Sequence, residues 1–127
     1  MNIGSIAVSG MNAAAMRLGN AANNLISARS TAPATAAGQL LGAVYAPTQV
    51  AQSTLSNGGV TTSIVPVTPS LVLGPDANSP TGLSAYPNVD VGQELVNLSL
   101  ASNAYKAAAK VLSVEAEVSK ALLDISS

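Results

Sequence analysis

This sequence predicts a mainly α fold, with a long helix at each end and a small β-hairpin and loop insertion between them. Three observations carry that reading. Apolar and alanine residues recur at seven-residue spacing near both termini, the pattern of a helix with one buried seam. All seven prolines fall between residues 29 and 88. Inside that stretch an Asn-Gly pair separates two arms, the second of them rich in β-branched residues. The chain divides accordingly into residues 1–30, an N-terminal helix; 31–88, loop and hairpin; and 89–127, a C-terminal helix.

The N-terminal helix is expected over residues 4–28. Met11, Leu18 and Leu25 stand seven apart, and Ala7, Ala14, Ala21 and Ala28 follow at the alternate seam position. Alanine there lets a partner helix approach closely. Gly10 and Gly19 each weaken such a helix by roughly 1 kcal/mol relative to alanine, so it leans on packing rather than propensity.

The C-terminal helix, over residues 89–125, has the stronger pattern. Asp90 is placed to cap it, with Glu94 in the first turn. Val91, Leu95, Leu98, Tyr105, Leu112 and Leu123 lie on one heptad seam. A second apolar stripe, which includes Val114 and Val118, runs beside it. Lys106, Lys110, Glu117 and Lys120 belong to a polar ridge. Two stripes mark a wider buried face than one partner helix covers, and this chain supplies only one other long helix.

The middle reads differently. Residues 48–55 and 60–67 form the arms of a hairpin about Asn57-Gly58. Residues 74–87 are dense in turn formers and read as a loop. Residues 31–38 are low in complexity and expected to be mobile.

Composition limits what such a chain does. Phe, Trp, Cys and His are absent, and three tyrosines are the only aromatics. Apolar residues make up 48%, many of them alanine, so a lone globule would have a weak core. Charged residues make up 9%, against roughly a quarter in an ordinary soluble protein. A surface so poor in charge is expected to be covered by other subunits. The net charge of −1 gives no basis for nucleic-acid binding. No apolar run is long enough for a transmembrane helix. The N-terminus lacks the basic region of a cleaved signal peptide, and Asn12, Arg17 and Asn20 interrupt any apolar core.

Without His or Cys, the common general bases, nucleophilic dyads and transition-metal ligands are missing. The six carboxylates lie mostly at helix ends and on polar faces. The run Asp76 to Gly82 lacks the glycine position and closing Glu of a calcium loop and reads as a turn. No catalytic residue, cofactor, metal or small-molecule substrate is expected.

Two blocks of sequence resemble the bacterial flagellar basal-body rod family of axial proteins. The first is Ser9-Gly10-Met11-Asn12-Ala13-Ala14, then Arg17-Leu18, then Ala21-Ala22-Asn23-Asn24-Leu25. The second runs from Tyr86-Pro87-Asn88-Val89-Asp90 through Glu94-Leu95-Val96-Asn97-Leu98 to Ala104-Tyr105-Lys106-Ala107, and is most similar to the C-type proximal rod proteins. The resemblance covers about half the chain. It implies that the terminal helices pair as an antiparallel coiled coil in the wall of a tube. It implies partners that are copies of this chain and related rod or hook axial proteins. It also implies passage through the flagellar type III export apparatus without a cleaved signal, and residence in the periplasm-spanning basal body. The assembly interface is then expected at Met11, Leu18, Leu25, Val91, Leu95, Leu98, Tyr105, Leu112, Val114, Val118 and Leu123. Ile26-Ser27-Ala28-Arg29 departs from the family pattern, and the middle region is short. A related subunit that forms its own extracellular filament is the alternative, and a small binding module using the hairpin and residues 74–87 is a third.

Overall fold

The computed structural model describes residues 2–127. Helix α1 spans Ile3–Ser27, and its first turn is capped by Asn2, whose side chain accepts from the Ser5 N–H at 2.8 Å. Strand β1 is Ala32–Pro33, β2 is Thr48–Thr54, β3 is Val60–Pro66, β4 is Leu71–Pro75 and β5 is Leu83–Pro87. Helix α2 spans Val91–Ser126. Asp90 caps it by accepting from Gln93 N–H at 3.0 Å, and the Glu94 carboxylate lies where the helix N-terminus favours negative charge. About half the residues are helical and a fifth lie in strands, so the two long helices in contact are joined by more sheet than one hairpin.

The helices run in opposite directions along each other. A Cβ added at Gly10 would stand 3.9 Å from the Ala108 Cβ, and one added at Gly4 would collide with the Glu115 carboxylate. At the other end, Asn24 bonds to Glu94. Position falls along one helix as it rises along the other. At 1.5 Å per residue α1 is about 37 Å long and α2 about 54 Å. The last two turns of α2, from Lys120 on, therefore extend past α1 and are exposed throughout.

The β2–β3 hairpin forms as its sequence predicts, within one residue at each end. Thr48 pairs with Pro66 and Thr54 with Val60. Gly58 turns the chain at φ +94°, and a side chain there would also press on Ile6 of α1. The hairpin lies along α1. The Thr48 carbonyl accepts from Asn20 and Asn24, and the Val60 N–H donates to Ser9 Oγ at 3.2 Å.

The remaining insertion differs from expectation. Residues 74–87 are not a loop. β4 and β5 pair as an antiparallel hairpin, with Leu71 opposite Pro87 and Pro75 opposite Leu83. Residues 31–38 are held rather than free. β1 adds to the other side of β5, giving the order β1-β5-β4, with Ala32 and Ala34 buried. The Ala34 N–H donates to the Leu83 carbonyl at 3.1 Å, and the Thr81 hydroxyl donates to the Ala34 carbonyl at 2.6 Å. Prolines sit at the ends of these short strands, where a missing N–H interrupts no ladder. Small side chains at Ala32, Ser84 and Ala85 let the strands pack closely against their surroundings.

Candidate assembly surface

The interior of this molecule is made almost wholly of alanine. Among the described residues every fully buried apolar residue of the two helices is alanine: Ala7, Ala13, Ala14, Ala21 and Ala101. Each contributes little buried area, so the pairing of α1 with α2 is close but weakly driven. Ala7, Ala14 and Ala21 share the face of α1 that carries Gly4 and Gly10, which look onto α2. A second face of α1, through Ser9, Ala13 and Asn20, underlies the hairpin. Met11, Leu18 and Leu25 are half-buried at the flank of the pair, not at its centre.

Helix α2 turns toward α1 a face centred on Ala101, with Ala104 and Ala108 following at steps of three and four. That face lies between the two apolar stripes. Leu98 and Leu112, on the near edge of the first stripe, are half-buried. Val91, Leu95, Tyr105 and Leu123 of the same stripe are exposed, as are Val114 and Val118 of the second. Leu100 and Leu122 are 58% and 62% exposed. The structure thus brings Leu98 and Leu112 toward α1 and leaves Val91, Leu95, Tyr105, Val114, Val118 and Leu123 exposed among the described residues. The alanine row itself had a signal in the sequence, the Ala101-Ala104-Ala108 spacing, masked by the larger residues on either side.

Where α1 begins, the second stripe becomes a groove. Ile3, Val111, Val114 and Val118 line a space of about 340 Å³, edged by Lys110 and Glu115. At the opposite end a polar cleft of about 190 Å³ opens between Arg17, Asn20, Gln49, Glu94 and Asn97. Arg17 Nε is buried there without a hydrogen-bond partner among the described residues. No helix among the described residues is long and apolar enough to cross a membrane.

The uncovered stripes belong to one identifiable unit of sequence. Residues 82–125 match the family model of the flagellar basal body rod FlgEFG protein C-terminal. The matched rod segment begins at β5 and ends in the last turn of α2, about a third of the chain. It includes Asp90, the Ala101 face and both apolar stripes. The rod family is structural, not enzymatic. The match is to the rod family's C-terminal segment as a whole and not to one rod protein type. No curated protein matches the chain.

Proposed function

We propose that this chain is an axial structural subunit of a flagellar rod-type assembly, polymerising into a helical tube through its terminal helices. The observation that carries this reading is an exposed apolar stripe along the full length of α2, inside the segment that matches the rod family. Apolar side chains on a helix this long are covered in a stable state, and α1 covers the alanine face between the stripes and the near edge of the first at Leu98 and Leu112. The helix pair acts as an antiparallel coiled coil with a small-residue seam. The larger side chains then serve contacts between subunits: Val91, Leu95, Tyr105, Val114, Val118 and Leu123 of α2, joined at the flank by Met11, Leu18, Leu25, Leu98 and Leu112.

Its partners are copies of itself and related rod or hook axial proteins, with delivery by the flagellar type III export apparatus. The basal body is its location. A stand-alone extracellular filament is the second reading, favoured by a match confined to residues 82–125 and by the low charge of the whole chain.

Sedimentation of the purified chain over a range of concentrations, followed by electron cryomicroscopy of the heaviest fraction, tests the proposal. Tubes or fibres with α2 in the wall are expected. A compact monomer that persists at high concentration would overturn it. Basal bodies lacking the chain beside free fibres containing it would select the second reading.

A further inference from the structure

The seam between the helices carries almost no information about alignment. Gly10, with Ala7, Ala14 and Ala21 on the same face, meets α2 along the row Ala101, Ala104 and Ala108, so small residues meet small residues there, and Gly4 lies beyond that row against Glu115. Knobs of differing size normally fix the register of paired helices, and among the described residues this alanine row has none. Overlap does not fix it either. Because α2 continues past α1, moving α1 one heptad toward the end of α2 would keep every α1 residue beside helix. In that shifted arrangement Gly10 would face Glu115 and Asn24 would face Ala101.

Asn24 is the exception on this seam. It is 1% exposed and is the one buried polar residue of the helix pair among the described residues. Its amide is fully used. Nδ2 donates to the Thr48 carbonyl at 2.8 Å and to Glu94 Oε1 at 3.3 Å. Oδ1 accepts from the Tyr45 hydroxyl at 2.7 Å and from the Thr48 N–H at 3.3 Å. Asn20 supports the same strand end, donating to the Thr48 carbonyl and accepting from its hydroxyl. One side chain therefore ties α1 to α2, to the start of β2 and to the segment before it. Sliding the helices by a heptad would replace Glu94 with Ala101 and leave one of the two buried N–H groups of Asn24 Nδ2 unpaired, the other keeping the Thr48 carbonyl.

We propose that Asn24 is the register-determining residue of the helix pair, and that through Thr48 it makes helix pairing and hairpin docking one cooperative event. The inference concerns the fold of the single chain and stands apart from what the chain assembles into. A buried polar group at one seam position is an effective way to choose among otherwise equivalent alignments, because it penalises every register but one.

The absence of cysteine makes the test direct. The pair G10C/A108C reports the native register, since the two Cβ atoms would be 3.9 Å apart, within disulfide range. The pair G10C/E115C reports the shifted one. Oxidation of each, read as the intramolecular product on a non-reducing gel, should favour the native pair by at least tenfold with Asn24 present. In an Asn24→Leu background the preference should collapse toward equality while helical circular dichroism is retained. Should that variant lose its helix signal, Glu94→Leu decides, because it removes the α2 partner and leaves the contacts to Thr48 and Tyr45. Glu94→Leu should relax the register in the G10C/A108C and G10C/E115C reporters, and Glu94→Gln, which keeps an acceptor, should preserve it. An undiminished native preference in Glu94→Leu, or in a folded Asn24→Leu, overturns the proposal.

Discussion

Gly4 and Gly19 sit on the same helix and answer to different constraints. Nothing lies within 4 Å of a Cβ placed on Gly19, so Gly19→Ala should raise stability by about 1 kcal/mol through helix propensity alone. At Gly4 the same change meets the Glu115 carboxylate and forces that side chain to move. Urea titration of the two variants should therefore give a clear gain for Gly19→Ala and a smaller gain or a loss for Gly4→Ala. Asp76, in the turn between β4 and β5, gives a pH prediction. The Asn78 backbone N–H at 2.9 Å and the Ser84 hydroxyl at 2.8 Å hold its carboxyl below the usual carboxylate value, against a weaker opposing effect of desolvation. The folded value lies below the unfolded one, so this contribution is complete above the ordinary value of 3.8 and is lost as pH falls through the lowered one. Protection of the Asn78 amide, its hydrogen exchange rate referred to that of an unstructured chain at the same pH, should fall over that acid range, and Asp76→Asn should remove the dependence.

At the scale of elements, α2 presents two kinds of surface that mutation should separate. Ala101 is 1% exposed at the centre of the helix pair. Ala101→Leu overpacks that contact and should cost about 1–3 kcal/mol, seen as a lowered melting temperature at any concentration. Leu100 and Val118 are exposed in the single chain. Leu100→Asp and Val118→Asp should leave the dilute chain's melting nearly unchanged and abolish the heavy species in sedimentation, because the charge would be buried only in the assembly. The elements themselves were unequally legible. Both helices lay within two residues of their expected limits, since the seven-residue pattern, the Asp90 cap and the proline boundaries agree. The hairpin at Thr48–Pro66 was legible from its Asn-Gly turn. The β4–β5 pair was hidden by its prolines and by strands of only five residues, which resemble a loop until a partner strand is supplied.

The whole molecule has a core of alanine and an apolar surface larger than its partner helix covers. A domain built in this way gains stability from association, so its apparent melting temperature should rise with protein concentration until assembly is complete. Calorimetry over a hundredfold range of concentration checks this, and a melting temperature independent of concentration would argue against subunit contacts on α2. The polymer reading also accounts for the scarcity of charge, because a face that is buried between subunits has little use for it.

By itself the sequence determined that two terminal helices flank a short insertion, where each helix starts, and that no catalytic constellation of His or Cys exists. It determined these because helix periodicity, capping and proline placement are local properties. It also held the rod-family signal, in residues close together along the chain. Which side of α2 meets α1 was decided only in three dimensions. Large apolar residues dominate any reading of the pattern, yet the closest approach of two helices goes to alanine and glycine. The larger residues are left exposed. The part of Asn24 was likewise invisible in one dimension, since its four bonds reach Tyr45, Thr48 and Glu94, which come together only when the hairpin and both helices have packed.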